Sequence, residues 1–397
     1  MTETLQHPRS PEPPTRFVGD DRALTELLAA LREATVYCFD TEFHRERTYY
    51  ARLALIQIAW PDGIAIVDPL ACDPAPLAEL FSSPALAVVH AGDQDLEIIE
   101  RACAVLPARM FDIQIGAGFL GLASASLGAV VDRLLGLRLE KGDQLTDWMK
   151  RPLNSAQLHY AAGDVAHLID CYDELHRRLV ELGRWTWAEE ECALALAKGR
   201  RSAVPEEAWW RLRQARQLRG RARGIAQCLA AWRESRAQRL DVPVRNVFPD
   251  LAIASIAQRP PSTRAELEGV RSLDSRHLGG GAAAEILEVV AKGAALPADK
   301  LCLPPGPQGD SIAKPMVALA AAYATERAHD LDLDPALLAT RSDIVDFLQE
   351  PPVGRLTTGW RGDLVGVPIR KLASGEAALA VAGSSLVLEE RSRRPIA

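Results

Sequence analysis

Five side chains stand out by type and spacing. Asp40-Thr41-Glu42 closes a strand-like run that begins at Thr35. Residues two apart on a strand share a face, so Asp40 and Glu42 converge, and adjacent acids repel unless a cation lies between them. Alone, such a pair is also an ordinary solvated strand end. His90-Ala-Gly-Asp-Gln-Asp95 ends a strand and opens a helix; Asp93 suits the N-cap, which leaves Asp95 spare. Tyr160 and Asp164 fall in the helical pattern Leu158, Ala161, Val165, Leu168 and stack on one face, where a plain surface hydrogen bond is the other reading. Together the four acids suit two divalent ions about 3.5–4 Å apart, which activate water and stabilise both phosphoryl and leaving oxygens in phosphodiester hydrolysis. Magnesium and manganese take such hard oxygen ligands. A phenol with an ordinary pKa of about 10 orients the water and is a poor base.

Positioning those groups requires a sheet with helices against it. Residues 1–17, rich in proline, read as a disordered tail. Strand-like runs at 35–39, 53–59 and 64–67 follow, the last two separated by Pro61-Asp-Gly, and they suggest an antiparallel meander. Leu86-Ala-Val-Val adds a strand before helices take over, which implies a mixed α/β layer over residues 18–197. From Pro205 onward strand signals vanish. Leu212, Ala215, Leu218, Ala222, Ile225 and Leu229 form an apolar helical stripe within a helical domain over 204–292, with Gly220 and Gly224 as possible breaks. A proline-rich linker over 293–311 precedes a second helical region over 312–388. Leu240-Asp-Val and Leu331-Asp-Leu recur 91 residues apart, a hint of duplication.

At 397 residues the chain has room for three domains, and its 48% hydrophobic and 25% charged content is that of a globular protein. No signal peptide and no apolar run of about 18 residues is expected, and seven scattered cysteines without a Cys-x-x-Cys pair argue for free thiols in the cytoplasm. The net charge of −7 speaks against nucleic acid until it is divided. Residues 200–245 hold twelve arginines and no lysine against four acids, a local +8 that leaves −15 elsewhere. Arg213, Arg216, Arg219 and Arg223 are expected along one helical face, with Trp209, Trp210 and Trp232 near. Such a face suits a nucleic-acid backbone and stacked bases; a solvated helix with snorkelling arginines is the alternative.

Asp40-Thr-Glu-Phe43, Asp95-Leu-Glu97 and Tyr160-x-x-x-Asp164 resemble the three motifs of the tyrosine branch of DEDD-superfamily 3′→5′ exonucleases. The context is similar to bacterial ribonuclease D over about residues 18–190: Arg47-Thr-Tyr-Tyr50, Leu53-x-Leu-Ile-Gln57, Phe111-Asp-Ile-Gln-Ile115 and Thr146-Asp-Trp-Met-Lys-Arg-Pro-Leu153. Gly163, where many relatives have alanine, departs from the pattern without touching the chemistry. The resemblance implies a ribonuclease H-like exonuclease domain, a mixed sheet with flanking helices, followed by two small all-α domains. The first of these resembles the HRDC domain of RecQ-type helicases, and the second is a more divergent copy. It also implies Asp40, Glu42, Asp95 and Asp164 as ligands of two divalent cations, Mg2+ or Mn2+, with Tyr160 positioning the water. The expected partner is RNA with a single-stranded 3′ end, tRNA precursors above all, with neither membrane nor protein partner implied. Tyr49, Tyr50, Gln57, His90 and Trp210 are candidate substrate contacts beside Arg213, Arg216 and Arg219; Lys141 and Arg151 are candidate backbone cations. A DNA 3′→5′ exonuclease of the same fold and a catalytically idle nucleic-acid-binding protein are the competing readings.

Overall fold

A computed structural model describes residues 14–139, 146–199, 204–303 and 314–392. Two compact units emerge: Met1–Glu42, Leu53–Arg200 and Gly306–Ala397 form one, Phe43–Arg52 and Arg201–Pro305 the other.

The first unit is built on a six-stranded sheet: β1 (Thr15–Val18), β2 (Val36–His44), β3 (Arg52–Trp60), β4 (Gly63–Val67), β5 (Leu86–Val89) and β6 (Arg109–Asp112), in the spatial order β1-β4-β3-β2-β5-β6. β3 and β4 pair antiparallel, whereas β1–β4, β2–β5 and β5–β6 are parallel, so the expected meander is the centre of a mixed sheet. Both faces are covered. Tyr37, Phe39, Ile56 and Ile58 pack into one apolar cluster, and Cys38, Ala59 and Val88 into another beneath the helices. Burial on two sides explains why β3 reads as a nearly continuous apolar run.

Three local expectations change. Thr15–Phe17, assigned to the tail, pair with β4, and residues 1–13 lie outside the described residues. β2 continues through His44, so Asp40 and Glu42 sit within the strand instead of ending it. The helix Asp93–Cys103 is capped by Gly92 without a side-chain bond, which makes Asp93 its first residue and not its cap.

In the second unit the long helix is Arg221–Leu240, preceded by 3₁₀ turns at Pro205–Arg211 and Ala215–Gln217. The apolar stripe is therefore not one helix. Leu212, Ala215 and Leu218 are buried from turns, and Leu229 from the helix. That helix crosses Ala282–Ala294 closely: a Cβ on Gly224 would overlap the Gly293 carbonyl, so only glycine fits.

Residues 314–392 carry helices Lys314–Asp330, Pro335–Leu338 and Arg341–Phe347, and end in a hairpin, Ala377–Ala382 with Ser385–Glu390. The sequence pattern predicts helix up to residue 388. The alanine-rich run favours helix by propensity, but the two-residue Gly383-Ser384 connection turns it back as strands. This region shares a core with the sheet's helices. Trp360 stacks on Trp187 at 5.1 Å, the Arg361 guanidinium pairs with buried Glu191, and Arg184 donates to the Leu331 carbonyl at 2.6 Å. Among the described residues no helix is long and apolar enough to cross a membrane.

Candidate active site

Asp40 and Glu42 lie on β2, next to β3 at the middle of the sheet. Asp95 lies in the first turn of the Asp93–Cys103 helix. The turn before that helix is fixed by Asp112, whose carboxylate accepts from the Ala91 and Gly92 amides, both at 3.0 Å. Tyr160 and Asp164 lie on the helix Ser155–Ala166, whose start is set by a capping box between Asn154 and Gln157.

These elements bring four acids together. Asp95 is 8% exposed; its Oδ1 accepts the Thr41 amide at 3.0 Å and also the Thr41 hydroxyl. Burial drives the Asp40 carboxyl well above the usual range, and the charges of Asp95, Asp164 and Glu42 push the same way. Glu42 is raised to about 8 by burial and by Asp164 and Asp95. Asp164 is raised to about 7 by burial, against a hydrogen bond from Tyr160 that favours its charged form. Burial raises Asp95 too, although the Thr41 bonds oppose it. Among the described residues no basic side chain forms an ion pair with any of the four. Asp95 is buried and Asp40, Glu42 and Asp164 are half-buried; crowded acids of one sign without a counter-charge hold protons that free carboxylates would release, or else they wait for a cation. The side chains as placed form no closed cage: among the described residues no group of three His, Cys, Asp or Glu is arranged to hold a metal ion.

Most of the other candidates are enclosed or engaged elsewhere. Gln57 is fully enclosed in β3, out of reach of a nucleotide, and neither of its amide atoms has a partner among the described residues. His90 Nε2 donates to the Ala125 carbonyl at 3.0 Å. The Trp210 indole donates to the Cys302 carbonyl at 2.9 Å, as does that of Trp209. Tyr49 donates its hydroxyl to Glu234 at 2.6 Å, and its ring meets Tyr50 edge-on at 4.8 Å. Arg213 and Arg219 are exposed, but neither lies on a helical face: Arg213 is on a turn and Arg219 precedes the helix Arg221–Leu240; Arg216 occupies a 3₁₀ turn, and its side chain lies outside the described part. Arg151 grips buried Asp68 through two nitrogens, at 2.5 and 2.7 Å, and is not available to a backbone; Lys141 lies outside the described residues. Thr41 and Asp112 are the supporting residues that spacing did not single out. Their signal was faint: each sits inside a quoted motif, Asp40-Thr-Glu42 and Phe111-Asp-Ile, without a stated task.

A mixed sheet presents two acids from a central strand, a third from a helix start and a Tyr–Asp pair from a second helix, the arrangement that the resemblance to DEDD-superfamily 3′→5′ exonucleases implies. The family model described as 3′-5′ exonuclease matches residues 15–180, and the HRDC domain model matches residues 222–290. Ribonuclease D of Acidiphilium cryptum is 35% identical over 387 residues, covering 95% of this chain and 97% of its own. Ribonuclease D of Granulibacter bethesdensis is 33% identical over 388 residues, covering 96% and 98%. The crystal structure of Escherichia coli RNase D, an exoribonuclease involved in structured RNA processing, matches with a TM-score of 0.81 at 30% identity, covering 91% of this chain and 99% of that one. The chain belongs to the ribonuclease D family.

Proposed function

We propose that the protein is a 3′→5′ exoribonuclease that releases 5′-mononucleotides from RNA with an unpaired 3′ end, tRNA precursors included. Asp40, Glu42, Asp95 and Asp164 would hold two divalent cations, Mg2+ or Mn2+. The observation that carries this reading is the set of four converging acids, one buried and three half-buried, each with a raised pKa and none with a basic partner among the described residues. The donor set fits: hard, all-oxygen and open to water and phosphate oxygens for the remaining coordination. When bound, the ions supply the charge that neutralises phosphoryl and leaving oxygens and lower the pKa of the attacking water. The protein's own contribution is placement. Thr41 fixes the Asp95 carboxylate through two bonds, and Tyr160 hydrogen-bonds Asp164, which puts a phenol among the acids where a water can be oriented. An unpaired end fits because the terminal nucleotide must leave its stack to reach the acids. Exposed Arg213 and Arg219 supply positive charge to the RNA backbone.

The test offers 3′-labelled tRNA precursor and matched single-stranded DNA with Mg2+ or Mn2+. Asp164→Ala is expected to lose about 100-fold or more in nucleotide release from RNA. Equal rates for wild type and Asp164→Ala would refute the site, and a preference for DNA would refute the substrate while sparing the chemistry.

A further inference from the structure

The boundary between the two compact units falls inside the strand that bears the first two acids. Glu42 is the last residue assigned to the first unit, and Phe43–Arg52 belong to the second, although in sequence they lie between two strands of the first. Within the second unit this segment is tied down by one face of the Arg221–Leu240 helix and the turn that follows. The Tyr49 hydroxyl donates to Glu234 Oε1 at 2.6 Å and accepts from Gln238 Nε2 at 3.1 Å. The Tyr50 amide donates to Asp241 Oδ1 at 3.1 Å, and Arg245 Nη2 donates to the Glu46 carbonyl at 3.1 Å. Residues 234, 238 and 241 are spaced i, i+4, i+7 and so form one ridge. The ties to Tyr49 are half-buried, its ring packs against the helical core, and burial with the Glu234 contact pushes the phenol up to about 12, so it stays protonated as a donor.

From this geometry we infer that Tyr49, Glu234, Gln238 and Asp241 are positioning residues for the nuclease reaction, clamping the connection that leads out of β2 so that Glu42 is held in place to ligate the metal. The inference rests on the proposed function. β2 ends at His44, two residues past Glu42, and only four residues separate His44 from Tyr49. A strand end without such an anchor frays at little cost, and fraying by two residues would release Glu42. A short anchored tether removes that freedom. The clamp also accounts for two of the four acids in the arginine-rich stretch: Glu234 and Asp241 serve the strand's tail and are not stray negative charge in an RNA-binding face.

The experiment uses the full chain and two readouts: calorimetric titration of the RNA-free protein with Mn2+, and steady-state kinetics on a short single-stranded oligoribonucleotide. Tyr49→Phe deletes only the hydroxyl and keeps the ring. It is expected to weaken Mn2+ binding about tenfold and lower kcat about tenfold, with KM unchanged within about twofold. Glu234→Gln keeps an acceptor for the phenol and is expected to behave like wild type, whereas Glu234→Ala reproduces Tyr49→Phe. The double variant Tyr49→Phe/Glu234→Ala is expected to be no worse than either alone, the mark of one shared interaction. Wild-type Mn2+ affinity and kcat in Tyr49→Phe, or a loss confined to KM, would overturn the clamp. If wild type itself releases no nucleotide from RNA, the proposed function fails, and the Mn2+ titration still decides whether Tyr49 holds the site.

Discussion

Two stretches of this chain pass through the same helical order 91 residues apart. Arg221–Leu240, Val244–Val247 and Asp250–Gln258 are echoed by Lys314–Asp330, Pro335–Leu338 and Arg341–Phe347. The turn after the first helix is built alike in both. Asp241 and Asp332 take left-handed conformations, φ 49° and 47°, and the next residue's amide returns to the helix, Val242 to Ala237 and Leu333 to Ala328. What the turn holds differs. In the first copy the Asp241 carboxylate catches the Tyr50 amide; in the second, the Leu331 carbonyl takes Arg184 and the Asp334 amide donates to Gly118. The helices diverge further. Where the first copy has buried Arg233 and clamp-forming Glu234, the second has Ala324 and Thr325, whose hydroxyl bonds back to Ala321. The second copy's region adds Arg361 to Glu191 and Trp360 to Trp187 instead. The two stretches share the form of their turn and differ in their charges. One copy is tied to the strand's tail by a few hydrogen bonds, while the other is fused into a sheet-bearing core.

That contrast predicts unequal costs when the contacts are removed. Arg361→Met strands a buried carboxylate on Glu191 and should cost about 3–5 kcal/mol in denaturant unfolding. A loss below about 1 kcal/mol would mean that Arg355, 4.0 Å from Glu191, is enough by itself. Gly121→Ala is next. Gly121 has φ +80°, and a Cβ there would press on the Asp332 carboxylate at 2.6 Å, so about 1–3 kcal/mol should be lost by the same measurement. Wild-type stability in that variant would show that the second copy's turn is loosely seated. The smallest effect belongs to the first copy: Asp241→Asn keeps an acceptor and tolerates left-handed backbone, and its unfolding midpoint should shift by less than about 0.5 kcal/mol equivalent. A larger shift would make the Asp241 charge, and not its hydrogen bond, the working feature.

The acids and Tyr160 were legible in the sequence because their spacing is local: two residues on a strand, four on a helix. The mixed sheet was legible from apolar runs between turn signals. What failed to show is settled by partners far along the chain. Tyr49 looked like a base-stacking residue, but its partner lies 185 residues away; Trp210 looked like an exposed aromatic, but its indole meets a carbonyl 92 residues on. Arg151 looked like a free cation, and its partner is Asp68, 83 residues back. The arginine-rich stretch was read as one helical face because the spacing of its apolar residues is helical. The helix begins only at Arg221, after Gly220 at φ +52°, so Arg213 and Arg219 fall outside it.

The stacked Trp187–Trp360 pair and the Arg361–Glu191 contact also bear on how such a chain can be cut and recombined. The exonuclease family match stops at residue 180, yet Trp187, Glu191 and Phe119 are side chains whose far surfaces are completed by residues beyond 330. The modular seam drawn by family likeness and the seam drawn by packing are different seams. A catalytic module lifted out along the first would end before Trp187 and Glu191 and leave Phe119 without either of its tryptophan partners. The packed unit around the sheet therefore runs on through residues 314–392.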